Sequence, residues 1–305
     1  MEKRKSISYI IPAYNCGRCI NAAIASIVNG NLESGDEIIV VNDASTDNTR
    51  AVVSKLAARI SQLKCIHHPY NKGCAAGGRN TGIQAARNEL LFALDADNVL
   101  VQQSIDRLVN YMTSQHADAA AFREVRFFVD DPARPTHSWF YNANITLADA
   151  LSGHYWPGPD GNYLFTKESW LRAGRYDEFV GGGVDSWAFG VRQLATGTRM
   201  VTLDESHYLH RWGHDSAWMQ DARVGSQSIK ACRALLPFID LIEDESIDYI
   251  LARDTRRTWF ENLPTRPLRV RQGKSGIDGG VIFGVRKDRF ITRVRRYVAR
   301  RIWSG

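Results

Sequence analysis

Two aspartates one residue apart, Asp95 and Asp97, stand at the end of the apolar run LLFALDADN, Leu90 to Asn98. A run of that length suits a strand buried on both faces, as in a parallel sheet flanked by helices. Residues i and i+2 of an extended chain share a face, so both carboxylates point the same way where the strand ends. Paired carboxylate oxygens are hard ligands suited to a divalent cation. The carboxyl edge of an open α/β sheet is also where ligands bind. Taken alone, the pair also fits an acidic turn closing a strand. A second candidate, Cys16-x-x-Cys19, has no companion pair at ligand spacing, so it reads as two small residues opening a helix rather than as a zinc site. The five cysteines are odd in number and scattered; they outline no disulfide framework and fit a reducing compartment.

The elements that must position these groups alternate along the chain. Ile7 to Ile11 reads as a first strand ended by Pro12, and a helix follows through Ile20, Ile24, Ile27 and Val28. Glu37 to Val41 is a second buried strand closed by NDASTDNT, where Ser45 or Thr46 would cap a helix with Asp47 in its first turn. A short strand near Cys65 to His67 leads into HPYNKGCAAGGRNTG, a glycine-rich loop opening a helix that runs towards Ala86. Strand alternating with helix in this way indicates a parallel α/β sheet. Further on, the pattern gives a helix over Gln103 to Met112, a strand at Ala119 to Phe122 and a loop over Asp130 to His137. A glycine- and aromatic-rich binding surface between Ser152 and Gly183 precedes a helix over Ser186 to Ala195 and a strand over Arg199 to Leu203. HYLHRWGHDS reads as a polar loop, and Gln227 to Ile242 as an amphipathic helix.

The whole chain, 305 residues and 44% apolar, suffices for one large domain with an extension. We place a first domain at residues 1–225 and a helical extension at 226–305. No apolar run approaches the roughly 18 to 20 residues of a membrane span, and the N-terminal apolar stretch is too short for a signal sequence. The expected location is cytoplasmic, with attachment at most to a membrane surface.

Four landmarks now stand in order: PAYN after the first strand, VNDASTDNT after the second, NKGCAAGGRNTG opening a helix, and DADN after a further strand. Together they resemble the nucleotide-sugar-binding half of family 2 glycosyltransferases, over roughly residues 5 to 215. The resemblance implies the GT-A fold, a Rossmann-like, mostly parallel sheet flanked by helices. It puts Pro12, Ala13 and Tyr14 along the base and ribose of a nucleotide sugar. It makes Asp43 the acceptor for a uracil-type N–H, since an ionised carboxylate only accepts; a capping role for the next helix is the alternative. Lys72 and Arg79 flank the glycine-rich loop, where cations meet phosphate or base. Asp97 matches the family's direct ligand for Mn²⁺ or Mg²⁺, while Asp95, with Ala96 beside it, contacts ribose or metal-bound water. Asn98 stands where many relatives carry another acid. His214, in the spacing Arg211-x-x-His214, resembles the late histidine that completes the metal shell, with His210 as its rival and Arg211 near the pyrophosphate.

Transfer needs a base that takes the acceptor's proton. The family carries an acidic pair at a helix start; here GGGVDSWAFGVRQL has Val184 in place of the usual glutamate, which leaves Asp185 as base or as helix cap. The implied mechanism is a single displacement with inversion. Trp156, Tyr163 and Trp187 lie in the half where the family recognises acceptors, as sugar-stacking faces or as core. The QxxRW motif of processive synthases is absent, so one sugar per encounter is expected. KDRFITRVRRYVARRIWSG reads as a basic amphipathic helix. Through 286–303 it could lie on an anionic leaflet, or dock on protein; no base-reading motif accompanies it, so nucleic acid is not expected. The reading is thus a non-processive, inverting, metal-dependent transferase that moves a sugar from a nucleoside diphosphate, UDP favoured. Its acceptor would be a glycan or lipid-linked saccharide in surface polysaccharide synthesis. The rivals are a non-catalytic nucleotide-sugar or glycan-binding relative, motivated by Val184, and a nucleotidyltransferase.

Overall fold

The computed structural model of the chain describes residues 4–141, 143–147, 150, 161–213, 230, 233–234 and 236–241. Before residue 130 the chain runs through β1 (Ile7–Ala13), α1 (Ile20–Val28), β2 (Glu37–Asn42), α2 (Thr49–Ala57), β3 (Leu63–His67), α3 (Ala75–Ala85), β4 (Leu90–Ala93), β5 (Val99–Leu100), α4 (Ser104–Ser114) and β6 (Ala119–Phe128). The remaining described elements are β7 (His137–Phe140), β8 (Asn144–Ile145), β9 (Leu164–Thr166), α5 (Lys167–Arg172), α6 (Asp185–Ala195), β10 (Met200–Arg211) and a 3₁₀ turn at Leu236–Leu241.

The ten described strands join one sheet in the order β3-β2-β1-β4-β9-β6-β10-β5, with β7 paired to β6 and β8 to β10. The quartet β3-β2-β1-β4 is parallel. Strand β9 runs antiparallel to both neighbours, β4 and β6, while β6 and β10 pair in parallel. Two reversals therefore bring the carboxyl ends of β1, β2, β4, β6 and β10 to one edge. Apolar side chains pack on both faces: Ile11, Ile24, Phe92, Leu108 and Tyr208 on one, Ile10, Val41, Ile83, Phe165 and Phe189 on the other. This two-faced burial is why the strands of the first half read as unbroken apolar runs.

Helix α3 approaches the sheet closely. A Cβ on Gly78 would lie 3.0 Å from Pro12 Cβ, and one on Gly82 would lie 2.6 Å from Ile10 Cγ2. The two glycines, one helical turn apart, let the helix backbone lie against β1 and β2.

Several expectations need correction. Strand β1 does not stop before Pro12 but runs through it, pairing Pro12 with Val41 and Ala13 with Asn42. Ile10 O accepts from Leu94 N, so the missing N–H of Pro12, two residues on, falls on the flank where β4 has already ended. Helix α2 starts at Thr49, not near Ser45, because Asp47 turns back to accept from Thr49 N at 2.9 Å and Ser45 and Thr46 serve the neighbouring loop. The segment read as a polar loop from His207 is strand as far as Arg211. Its polar residues lie in a strand whose parallel partner, residues 124–128 of β6, continues equally far. No helix among the described residues is long and apolar enough to cross a membrane. The proposed boundary near 225, most of the helix placed at 227–242, Trp156, His214 and the basic segment 286–303 lie outside the described residues.

Candidate functional site

Strand β4 ends at Ala93, and the chain turns at once: Asn98 N donates to Asp95 O at 3.1 Å. The turn is anchored at both ends. Asn98 is fully buried, and its Oδ1 accepts from Arg211 N at 3.0 Å, tying the turn to the end of β10. Asn162, two residues before β9 begins, clamps Asp95 with two bonds: its Oδ1 accepts from Asp95 N at 2.7 Å and its Nδ2 donates to Asp95 Oδ2 at 3.0 Å. Asn98 thus brackets the turn against β10. Ala96 is buried under the turn and Asp97 is half-buried.

The remaining oxygen of Asp95 accepts from Arg79. This guanidinium, on α3 and only 3% exposed, spans two carboxylates at once: Nη2 lies 2.6 Å from Asp95 Oδ1 and Nη1 lies 2.6 Å from Asp185 Oδ2. Burying a guanidinium is costly unless its charge is paired and its donors are satisfied. Tyr176 adds a ring face, with the Arg79 carbon 5.4 Å from its centroid. Gly161 closes the cluster at φ +80; a Cβ there would fall 2.3 Å from Ser186 Oγ and 3.3 Å from Arg79 Nη2. Asp185 is the first residue of α6, and the N-cap position is Val184. Its carboxylate is thus not a helix cap but one end of the Arg79 bridge. The resemblance puts Arg79 against phosphate or base; in the structure both ends of its fork hold carboxylates instead.

Asp95 and Asp185 share Arg79 at the sheet edge, and Asp97 stands two residues from Asp95. Burial pushes the Asp95 carboxyl above the ordinary carboxylate value, and the charge of Asp97 adds to this against the pull of Arg79. Carboxylate oxygens at a sheet edge suit a divalent cation held by one or two protein oxygens and completed by phosphate oxygens. The resemblance makes Asp97 the expected ligand; each oxygen of Asp95 already accepts one hydrogen bond within the protein. Among the described residues no group of three or more His, Cys, Asp or Glu is arranged around a metal position.

A second carboxylate lies at the ends of β1 and β2. Asp43 N donates to Ala13 O, and its carboxylate accepts from Lys72 N with both oxygens, at 3.1 and 3.0 Å. His68 Nδ1 lies 2.6 Å from Asp43 Oδ1, and its Nε2 lies 2.9 Å from Thr81 Oγ1. A carboxylate can only accept, so Nδ1 carries the proton. Lys72 Nζ reaches Glu178 at 3.4 Å, and the other Glu178 oxygen accepts from Asn80 Nδ2 at 3.0 Å. The Asn80 bond, with Lys72 and His68 behind it, holds the Glu178 carboxyl below the ordinary value despite partial burial. Tyr14, 48% exposed, projects beside half-buried Pro12 and buried Ala13. The loop it begins is stitched to the next one: Asn15 Oδ1 accepts from Thr46 N at 2.8 Å, and Asp47 Oδ2 from Gly17 N at 3.0 Å.

Pro12, Ala13, Tyr14, Asp43, Lys72, Arg79, Asp95, Ala96, Asp97, Asp185 and Arg211 thus gather at one sheet edge. The Arg211 guanidinium lies over the Phe128 ring at 4.7 Å and donates to Val129 O at 2.7 Å. Trp187 is a correction: at 4% exposure, with Nε1 donating to Ala150 O, it lies inside the molecule and offers no stacking face. Tyr163 is core as well, its hydroxyl bonded to Gln193 Oε1 at 2.7 Å. Sequence reasoning missed Asn162, Asn80, His68 and Glu178. Of these, His68 and Asn80 lie in the HPYNKGCAAGGRNTG stretch and Asn162 in the glycine- and aromatic-rich one, but neither stretch assigns them a role.

Comparison with known proteins bears on the family and the fold. The family model described as Glycosyl transferase family 2 matches residues 8–171. The poly(ribitol-phosphate) beta-N-acetylglucosaminyltransferase TarP of Staphylococcus aureus (strain N315) is 34% identical over 119 residues, 37% of this chain and 35% of that protein. The Escherichia coli UDP-Glc:alpha-D-GlcNAc-diphosphoundecaprenol beta-1,3-glucosyltransferase WfaP is 34% identical over 109 residues, 36% of this chain and 42% of that one. The matched stretch thus spans under half the length of these relatives. Among solved structures, S. aureus TarS 1-349 in complex with UDP-GlcNAc superposes with a TM-score of 0.60 at 18% identity, covering 84% of this chain and 73% of that one. The mannosyltransferase PcManGT from Pyrobaculum calidifontis, in complex with GDP-Man and Mn²⁺, gives 0.57 at 20% identity over 77% of this chain and 63% of that one. At these identities the likeness speaks for the fold, and it is the α/β class expected. With a family model that matches more than half of its residues, the chain belongs to glycosyl transferase family 2.

Proposed function

We propose that this chain is an inverting, metal-dependent transferase that moves one sugar at a time from a UDP-sugar to a glycan or lipid-linked saccharide of a surface polysaccharide. The observation that carries the reading is the Arg79 bridge. It joins the candidate base Asp185 to the donor-side Asp95, residues 90 positions apart, through one buried guanidinium. Tyr14 and the Asp43 carboxylate line the edge where a base and ribose would lie, with Asp43 accepting from the base. Asp97 would hold Mn²⁺ or Mg²⁺, with His214 or His210 as further candidates; such an ion, when bound, offsets charge on the departing diphosphate. Arg79 fixes Asp185 by Oδ2, which leaves Oδ1 to take the proton of the acceptor hydroxyl as its oxygen attacks the anomeric carbon. Attack opposite the leaving group in one step inverts the anomeric centre. TarP and WfaP, named for transfer to poly(ribitol phosphate) and to a lipid-linked GlcNAc, support this acceptor class. The TarS complex with UDP-GlcNAc supports the donor class.

Thermal shift with UDP-GlcNAc and UDP-glucose, with and without Mn²⁺, tests the donor half, because a bound ligand stabilises in proportion to its affinity. A Mn²⁺-dependent rise in Tm that is lost in Asp97→Ala, accompanied by UDP release, is expected. Stabilisation without UDP release across an acceptor panel supports the binding-only rival that Val184 motivates. Consumption of added pyrophosphate to give UTP and a sugar 1-phosphate, with no free UDP, supports a nucleotidyltransferase. The division near residue 225 and contact of 286–303 with an anionic leaflet belong to the same proposal. Vesicle co-sedimentation that survives deletion of 286–303 would refute the membrane part.

A further inference from the structure

The aromatic side chains expected to bind the acceptor are inside the molecule or outside the described residues, yet the carboxyl edge carries exposed aromatics elsewhere. Phe127 of β6, itself buried, stacks on His137 of β7 at 4.5 Å with the rings 3° from parallel. Trp139 and Trp212 flank this stack, 4.6 and 6.0 Å from Phe127, and His210 closes it from β10 at 5.0 Å. His137 and Trp139 are exposed, Trp139 by 42%, and Trp212 is half-exposed.

Topology sets this cluster beside the transfer site. Strand β7 pairs with residues 124–127 of β6 on the same flank that β9 occupies at residues 119–120, one step nearer the carboxyl edge. The other neighbour of β9 is β4, whose end carries Asp95. After β4 the chain crosses to β5, beyond β10, on the face that carries Phe122, Phe127 and Tyr208.

The chemistry of the surface selects its occupant. Charged side chains of this hairpin turn to the other face, where Glu124 binds Arg126 at 2.8 and 3.0 Å and Ser138 at 2.9 Å. The alternating positions on the aromatic face, Val125, Phe127, His137, Trp139, Tyr208 and His210, hold no carboxylate, ammonium or guanidinium. A phosphate or an anionic leaflet would call for cations there. A pyranose instead presents a C–H face to rings and hydroxyls to ring nitrogens, which indole and imidazole edges supply.

We infer that His137, Trp139 and Trp212 form an acceptor subsite that binds an uncharged pyranose ring by stacking. Its role rests on the transferase reading, but its test reads binding alone. Intrinsic fluorescence of the full chain is titrated with chitotriose and cellotriose in the presence of UDP and Mn²⁺, alongside phosphatidylglycerol vesicles. Saturable binding of at least one trisaccharide is expected, weakened about ten-fold by Trp139→Ala and by His137→Ala and restored by Trp139→Phe, the size that loss of one ring contact implies. Melting temperatures should stay unchanged, since both side chains are exposed. Three results overturn the inference: no trisaccharide binding, equal binding by Trp139→Ala, or vesicles that bind in a Trp139-dependent way in place of the sugars. UDP release from the donor by the same variants separates failure of this subsite from failure of the transferase reading.

Discussion

Two clusters of acid flank helix α3, and they solve the same electrostatic problem differently. Asp43 is held by two donors, a backbone N–H from Lys72 and the imidazole of His68. Asp95 and Asp185 are held by one cation, Arg79, which each of them shares. The first arrangement distributes the hold over two donors on different residues, so one change removes part of it. The second concentrates it in a side chain whose loss leaves two carboxylates facing each other in a largely buried site. The first suits the base-recognising role proposed for Asp43, and the second suits the fixed spacing proposed for Asp95 and Asp185.

The largest effect should follow from breaking the bridge. Arg79→Met should destabilise the fold by about 3–5 kcal/mol in chemical denaturation, the cost of removing one partner from a buried ion pair. Arg79→Lys, which lacks the planar fork, should fall between Met and the native residue. Equal stability of Arg79→Met and the native chain would mean that the two clusters do not differ as described. A smaller and more selective effect is expected from Asp43→Asn. Losing an acceptor for the base should raise the KM for a UDP-sugar about ten-fold, in line with roughly 1–2 kcal/mol for a hydrogen bond to a charged group. The melting temperature should change little, because one acceptor oxygen remains.

The smallest effect is one of pH. The Glu178 carboxyl is depressed below its ordinary value, so its contribution is complete above the unfolded-state value and is lost as pH falls through the folded one. Stability of the native chain should therefore decline on acidification below about pH 4 more steeply than that of Glu178→Gln, which keeps an acceptor for Asn80 but carries no charge. Parallel acid limbs in the two denaturation series would remove Glu178 from the charge network.

The donor half of the molecule is largely legible in its sequence. Its strands are buried on both faces, so they show as apolar runs, and its loops carry their polar residues in compact stretches such as NDASTDNT and DADN. The other half is less so. The His207–Arg211 stretch looks like a loop because its polar side chains occupy a strand end with little apolar patterning, and only pairing with β6 reveals it. Trp187 looks like a binding face until the packing of α6 puts it inside. Asn162 and Asp95 are 67 positions apart, and Arg79 and Asp185 are 106 apart. Nothing local to either partner specifies such pairings, so the bridge that organises the site cannot be read from its parts.

The most direct test of the central claim is the rate of transfer by Asp185→Asn, a change that keeps the shape and can keep an oxygen facing Arg79. With UDP-sugar, Mn²⁺ and an accepted glycan, the account predicts a fall in kcat of about 10²–10⁴, the usual worth of a positioned general base, with the donor KM nearly unchanged. A variant that transfers sugar at the native rate would contradict it, because the carboxylate joined to Asp95 through Arg79 would then not be the base.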